Sequence, residues 1–145
     1  MYEVNGKDGT LFVTCQVVKQ GVDYRKIIEA SYSSGMPHSI FPYDHIESSF
    51  TKEMFADTEP VFFDIPNSGK SAIEFYALDV VSLVIGNDIV LGNQRIWISF
   101  DPMITDGIIG YDILSQLTRM SVAGSGKELF FNSLREFKEY AKLHL

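Results

Sequence analysis

The stretch from Asp106 to Leu114 constrains the fold more than any other part of this sequence, which there runs Asp-Gly-Ile-Ile-Gly-Tyr-Asp-Ile-Leu. Two branched apolar residues lead directly into Gly110, and a short amphipathic pattern follows. The pattern predicts a buried strand that stops at Gly110 and turns into a short helix, with Asp112 placed to cap it. A glycine at such a turn permits a close approach of two backbone segments or a positive φ.

The rest of the chain is dominated by short segments with strand-like patterns, separated by turn residues. The segments predicted as strands are 11–18, 25–32, 61–65, 73–78, 80–85, 89–91, 96–100, 120–123 and 128–131. Residues 66–70 have the composition of a hairpin tip between two of these strands. Residues 33–37 break every period, and residues 40–54 are expected to form an irregular connection with one helical turn.

The C-terminal segment follows a helical pattern instead. Ser133 to Glu136 form a capping-box pattern, and Leu134, Phe137 and Ala141 lie on one predicted helical face. No linker or repeat divides the chain. We therefore expect one β domain over residues 1–131, with a helix over 132–145 packed on the same domain. Many short strands with two short helices favour a mostly β, barrel-like architecture.

The charge balance excludes several classes of partner. Twelve Lys and Arg residues oppose 19 Asp and Glu, which leaves a formal net charge of −7 and disfavours both nucleic acid and a membrane surface. The longest apolar run, Val80 to Ile85, is far too short to span a bilayer. No apolar leader pattern is visible at the N-terminus, so a cytoplasmic location is expected. The single cysteine, Cys15, alternates with Val13 and Val17 and is predicted to be a buried small apolar side chain.

A second stretch, from Ala30 to Ile40, makes the first one more specific, because the two together resemble a known family. Its sequence is Ala-Ser-Tyr-Ser-Ser-Gly-Met-Pro-His-Ser-Ile. In this order and separation, the two stretches resemble the retropepsin-like aspartic peptidases, over about Leu11 to Phe131. That family has a strand ending in Asp-Thr/Ser-Gly, then a flap hairpin, then two apolar residues and a glycine before a short helix. The resemblance implies a closed acid-protease barrel with a short helix after Gly110, to which this chain adds a C-terminal helix.

The resemblance also assigns site residues. It places Ser33, Ser34 and Gly35 in the catalytic loop, with Ser33 at the position of the catalytic aspartate. Substrate-binding positions would be Asn67, Ser68 and Gly69 near the flap tip, and Ile108, Ile109 and Gly110 beneath the loop. A family chain of this size is half an enzyme, so the resemblance implies a homodimer with a peptide or protein segment in its groove, and no cofactor or metal.

The chemistry of that family depends on a pair of carboxylates. They share one proton, so that one acts as a base toward water while the other acts as an acid. A serine hydroxyl has neither the pKa nor the charge for this task, and loss of a catalytic base removes on the order of 10²–10⁴ in rate. Ser31 and Tyr111 also depart from the family pattern, in which an apolar residue and, in retroviral members, an arginine are usual.

Two functions follow from the serine. The first is a catalytically silent, retropepsin-like domain whose groove is retained as a peptide-binding or dimerisation module. The alternative is an active homodimeric aspartic endopeptidase, hydrolysing peptide bonds, whose catalytic aspartate has been replaced by Ser33.

Three other sites are weaker interpretations of the same sequence. A serine nucleophile at Ser33 with a nearby histidine lacks the Gly-x-Ser-x-Gly turn. A phosphate-binding loop over residues 64–71 has Asp64 where its first glycine should be, and a carboxylate there would repel phosphate. A zinc site has no recognised ligand spacing. Its candidate ligands are His38, Asp44, His45 and His144.

Overall fold

The computed structural model describes residues 1–6 and 8–145 of the chain. Within them it contains ten strands, two α-helices and two short 3-10 helices, the latter at Tyr43–His45 and Lys52–Phe55. The helices are α1 (Tyr111–Leu114) and α2 (Leu134–His144). The strands are β1 (Tyr2–Asn5), β2 (Leu11–Lys19), β3 (Val22–Tyr32), β4 (Ile40–Pro42), β5 (Val61–Phe63), β6 (Ile73–Ile85), β7 (Ile89–Ser99), β8 (Ile108–Ile109), β9 (Thr118–Val122) and β10 (Lys127–Phe131).

The strands form two sheets. The larger has the order β2-β3-β8-β4-β7-β6-β5, and β2 also pairs with β6. The smaller has the order β1-β10-β9. Pairing is antiparallel except between β3 and β8 and between β4 and β7, which are parallel. The prediction of a mostly β chain is confirmed, while closure of the larger sheet into a single barrel stays a prediction.

The opening hairpin of β2 and β3 shows how the sequence pattern becomes structure. Leu11, Val13, Cys15 and Val17 alternate along β2 and are all buried, as a strand with one face on the core requires. Gln20 and Gly21 form its two-residue turn with φ of 53° and 77°, the left-handed geometry that suits a tight hairpin. The predicted burial of Cys15 is confirmed.

The long hairpin of β6 and β7 corrects the sequence prediction. Four separate strands were expected here, but β6 and β7 are each continuous and pair from Tyr76–Ile98 to Ile85–Ile89. Asp79 does not break β6, because its carboxylate lies on the exposed face and accepts a hydrogen bond from Arg95 Nε at 2.7 Å. A polar residue that follows the strand alternation extends a strand and does not end it.

Two strands have no counterpart in the predictions. β1 pairs with β10, and β4 lies between β7 and β8 with all three of its residues buried. The segment predicted as an irregular connection thus begins with a core strand. Segments of three or four residues are too short to show a period, so their pairing depends on distant parts of the chain.

The C-terminal helix confirms its predicted cap and corrects its predicted face. Ser133 Oγ accepts a hydrogen bond from Glu136 N–H at 3.2 Å, as a capping residue does. The helix packs through Phe137 and Tyr140, whose ring centroids each lie 5.4 Å from that of Phe131. Leu134, expected on the packed face, is 56% exposed. The division into residues 1–131 and 132–145 stays a prediction.

The apolar interior has a main core and a smaller second cluster. The main core includes the buried faces of β2, β6 and β7 with the apolar residues of α1. The second cluster consists of Met36, Ile40, Ile73, Phe75 and Ile104. No helix among residues 1–6 and 8–145 is long and apolar enough to cross a membrane.

Candidate site around the Ser33 loop

The loop that contains Ser33 begins where β3 ends beside β8. Ser31 and Tyr32 pair in parallel with Ile108 and Ile109. The next residue continues this pattern, because Ser33 N–H donates to Ile109 O at 2.9 Å. The structure therefore brings together two of the sequence-predicted segments, the Ser33 loop and the apolar pair before Gly110.

Within the loop, the hydroxyl of Ser33 faces its own backbone. Gly35 N–H donates to Ser33 Oγ at 3.3 Å, and Met36 N–H donates to Ser33 O at 3.3 Å. Ser33, Ser34 and Gly35 are all exposed. The loop thus has a compact turn geometry and lies at the surface.

Gly110 is needed for the close contact between this loop and the start of α1. A Cβ atom at Gly110 would lie 2.6 Å from both Met36 O and His38 O, closer than packed atoms tolerate. Tyr111 N–H donates to Met36 O at 2.7 Å across the same contact. The φ of Gly110 is −97°, so the requirement is for space and not for a left-handed backbone.

Asp112 does not cap α1 as predicted; the N-terminal cap of the helix is Gly110, without a side-chain hydrogen bond. Instead, the Asp112 carboxylate accepts hydrogen bonds from Ser39 N–H at 3.0 Å and Ser39 Oγ at 2.6 Å. Ser39 Oγ in turn accepts from Gly110 N–H at 2.9 Å. The carboxylate thus joins the end of the Ser33 loop to α1. The buried Ser39 hydroxyl needs a hydrogen-bond partner, and the Asp112 carboxylate is its acceptor.

The hairpin between β5 and β6 has its tip at Asn67, Ser68 and Gly69. Asn67 and Gly69 have φ of 58° and 71°, and all three residues are exposed. Ser68 Oγ accepts from Lys70 N–H at 3.0 Å, which closes the turn. Lys70 Nζ donates to Met103 O at 2.7 Å and ties the hairpin to the loop after β7.

The second apolar cluster connects the base of this hairpin to the Ser33 loop. Met36 and Ile104 are buried there with Ile73 and Phe75, and Ile65 and Ile108 pack against them. The Phe63 and Phe75 rings stack with centroids 4.1 Å apart. His38 belongs to the same region, with its ring 4.7 Å from Phe63 and 5.9 Å from Trp97. The hairpin and the loop therefore share one buried apolar cluster.

The weaker alternative sites gain no support from this geometry. His38 packs against aromatic rings, and among the hydrogen bonds of the described residues none joins it to Ser33 Oγ. Asp64 Oδ1 accepts from Ala72 N–H at 2.8 Å within the hairpin tip, where a phosphate-binding loop would need a helix start. In residues 1–6 and 8–145, no group of three or more His, Cys, Asp or Glu side chains could hold a metal ion.

Tyr32 connects the same loop to the smaller sheet. Its hydroxyl donates to Glu128 Oε2, and its ring meets Phe130 edge-on at 5.3 Å. Burial, reinforced by the hydrogen bond to Glu128, raises the pKa of Tyr32 to about 12. The residue that precedes Ser33 is therefore held neutral and in place by β10.

Sequence reasoning missed the residues that support this site. Ser39, Met36 and Tyr32 were not singled out, although each contacts a predicted site segment. The available signal for Ser39 was a small polar residue directly before two apolar ones, which occurs too often to identify a buried bond. The functional roles assigned to the predicted site residues themselves stay predictions.

Comparisons with known proteins support the fold. The sequence matches neither a protein-family model nor a curated protein. Among solved structures, the chain is similar to the crystal structure of a retropepsin-like aspartic protease from Rickettsia conorii, with a TM-score of 0.54 and 10% sequence identity. The match covers 89% of this chain and 90% of that one. The fold is therefore retropepsin-like, whereas activity cannot be carried across at this identity.

Proposed function

We propose that this chain is a catalytically silent domain of retropepsin-like fold, retained as a peptide-binding or dimerisation module. The observation that carries the proposal is the position of Ser33. It follows β3 directly, its N–H bonds Ile109 O at 2.9 Å, and Gly110 lies against the far side of its loop. In the family that the sequence resembles, this is where the strand ends in the catalytic aspartate.

A hydroxyl at this place cannot replace a carboxylate. The mechanism of the family needs a group that is ionised at mildly acid pH and can take a proton from water. Ser33 Oγ, which accepts a hydrogen bond from Gly35 N–H at 3.3 Å, has no such charge. The loop therefore lacks the group that would perform the chemistry.

The peptide-binding part of the proposal is supported by the edge of the hairpin, where β5 is the last strand of the larger sheet. Val61 and Phe62 of β5 are 43% and 58% exposed, and the hairpin tip is exposed as well. An extended peptide that pairs along this edge gains contact with these side chains and with the open backbone of the hairpin. Hydrogen exchange at residues 61–75 is expected to slow when a peptide from a random library binds.

The decisive experiment restores the acid. Ser33→Asp is compared with wild type in cleavage of a fluorogenic peptide library at mildly acid pH, with Ser34→Asp as the matched control for an added carboxylate one residue away. The proposal predicts no cleavage by wild type or by either variant, with folding intact by circular dichroism. Pepstatin-sensitive cleavage by Ser33→Asp alone would support the alternative of an endopeptidase that has lost its aspartate. Cleavage by wild type that His38→Ala abolishes would contradict both.

A further inference from the structure

A cluster of four aromatic rings lies outside the Ser33 loop and has no part in the proposed function. Its members are Tyr43, Phe55, Tyr76 and Phe100. The Phe100 ring is central, because its centroid lies within 5.7 Å of the other three, at 4.6 Å from Tyr43 and 5.4 Å from Tyr76. Phe55 is buried, whereas the other three residues are half-buried. The cluster therefore lies at the border of the main core, with aromatic side chains within reach of solvent.

The ammonium group of Lys52 lies over two of these rings. Its Nζ atom is 5.8 Å from the centroid of the Tyr43 ring and 5.6 Å from that of Phe100. Both distances fall within about 6 Å, the range in which the face of an aromatic ring attracts a cation. In residues 1–6 and 8–145, Lys52 Nζ has neither an ion pair nor a hydrogen bond. The two rings are therefore the partners of this cation, and the site already accepts an alkylammonium group.

Two cavities lie beside Lys52 and Phe100, which line both of them. The first has a volume of about 350 Å³, with Tyr43, Asp44 and Asp101 also in its wall. The second has a volume of about 330 Å³, and the other two rings of the cluster belong to its wall. Volumes of this size admit a small ligand group. Because Lys52 is exposed, its side chain can turn to solvent and leave the ring faces open to a ligand.

Carboxylates around the cluster select for positive charge. Residues 43–64 contain six Asp and Glu residues but one lysine, Lys52, and no arginine. Burial, followed by the charges of Glu47 and Glu53, raises the pKa of Tyr43, so carboxylate charge acts on a residue of the cluster itself. A cationic ligand is therefore attracted to these rings, and an anionic one is repelled.

We propose that the rings of Tyr43 and Phe100 bind a quaternary ammonium group, and that Lys52 is an internal occupant which this ligand displaces. A primary ammonium group has three N–H donors that need acceptors, and the site provides none of them to Lys52. A quaternary ammonium group has no donor to leave unpaired, so ring faces and nearby carboxylates suffice to hold it. The site shares no residue with the Ser33 loop or the hairpin tip, and it goes beyond the proposed function.

A titration of the wild-type chain with choline tests the site directly. The comparison probe is dimethylbutanol, the neutral isostere in which carbon replaces the choline nitrogen. Choline is expected to bind about fivefold or more tightly than this isostere, because only the cation is attracted to the ring faces. Nuclear Overhauser effects are expected between its methyl protons and the ring protons of Tyr43 and Phe100. Equal affinity for the two probes, or choline without contacts to these rings, would overturn the proposal.

The source of the ammonium group is distinguished by a third probe, a short peptide with one trimethyl-lysine between neutral residues. Tighter binding of this peptide than of choline would support the site and assign its ligand to a protein partner. Tighter binding of choline would support the site and assign it to a free small molecule. A peptide with unmodified lysine is the control, and binding as tight as that of the trimethylated peptide would overturn selection for a quaternary group.

Variants at Lys52 test its role as the internal occupant. Lys52→Ala is expected to bind choline about two- to fivefold more tightly than wild type, the factor that corresponds to one exposed cation on a ring face. Lys52→Arg keeps a cation there and is expected to bind choline as weakly as wild type. Lys138→Ala, which removes an exposed lysine from α2, is the control for lost positive charge and is expected to change nothing. A Lys52→Ala variant no tighter than wild type would overturn displacement of Lys52.

Removal of the central ring completes the test. Phe100→Leu is expected to abolish choline binding, with folding verified by circular dichroism, and retained binding by the folded variant would overturn the site. If this variant does not fold, the comparison of choline with its neutral isostere on the wild-type chain decides the proposal. Neither result affects catalytic silence, which the Ser33→Asp cleavage assay decides separately.

Discussion

Ser39 Oγ lies 2.6 Å from Asp112 Oδ1 and also accepts a hydrogen bond from Gly110 N–H at 2.9 Å. One hydroxyl thus connects the end of the Ser33 loop to both the turn at Gly110 and the first turn of α1. Ser39 is completely buried, at 0% exposure. Gly110 is buried as well, so its N–H cannot turn to water if the hydroxyl is removed.

Ser39→Ala is therefore expected to be destabilising. It leaves a buried Gly110 N–H without a partner and removes a hydrogen bond to a carboxylate, which together cost about 2–3 kcal/mol. Urea unfolding followed by circular dichroism measures this loss. Ser115→Ala is the matched control, because Ser115 Oγ makes only an exposed contact to Asp112 O at 3.4 Å. A cost for Ser39→Ala as small as that of the control would contradict the structural assignment.

The sequence predicted this region in part. The strand before Gly110 and the short helix after it are present, because branched apolar residues and a glycine constrain the backbone locally. The prediction that Asp112 caps the helix was wrong, because its carboxylate binds Ser39, 73 residues earlier in the chain. A side-chain partner at that separation leaves no trace in local periodicity.

The β6–β7 hairpin shows the opposite error, in which local signals were given too much weight. Breaks were predicted at Asp79 and over residues 92–95, which include Asn93, but both strands are continuous there. The cross-strand pair of Asp79 with Arg95 and the positive φ of 51° at Asn93 accommodate them within the sheet. Only the paired strand, and not the residue type, determines whether such a position ends a strand.

Gly110→Ala tests the close contact beneath the Ser33 loop. The added methyl group would lie 2.6 Å from two backbone carbonyl oxygens, so either the loop or α1 must move. We expect a loss of about 1–3 kcal/mol in the free energy of unfolding, as for other overpacked sites. Gly92→Ala is the control, because a methyl group there would lie 3.9 Å from its nearest neighbour, Val81 O. Equal stability of the two variants in urea would mean that the loop is not packed against Gly110.

Cys15 provides a probe for opening of the main core. Burial raises the pKa of its thiol from 9.0 to about 12, which lowers the thiolate fraction at pH 8 by about a thousandfold. The native protein is therefore expected to resist a disulfide reagent at pH 8 and to react rapidly in denaturing urea. Rapid stoichiometric labelling of the folded chain, measured by mass spectrometry, would contradict the burial of β2.

The raised pKa of Tyr32 predicts how the stability of the fold changes at alkaline pH. Its pKa is raised to about 12, first by burial and then by the hydrogen bond to Glu128, so the folded state retains a proton that the unfolded state releases near pH 10. A group with a raised pKa contributes stability that is complete below the unfolded value and is lost as pH rises through the folded one. The free energy of unfolding is therefore expected to fall between about pH 10 and pH 12.

Two variants isolate that contribution. Tyr32→Phe removes the titrating group, so its stability is expected to fall less steeply over the same pH interval, as measured by urea unfolding at a series of pH values. Glu128→Gln retains burial but removes the carboxylate, and it is expected to lower the pKa of Tyr32 only in part, because burial is the larger cause. The phenolate absorbance near 295 nm, as a difference between wild type and Tyr32→Phe, reports the pKa directly. An ordinary pKa for Tyr32 in wild type would show that β10 does not hold the end of β3.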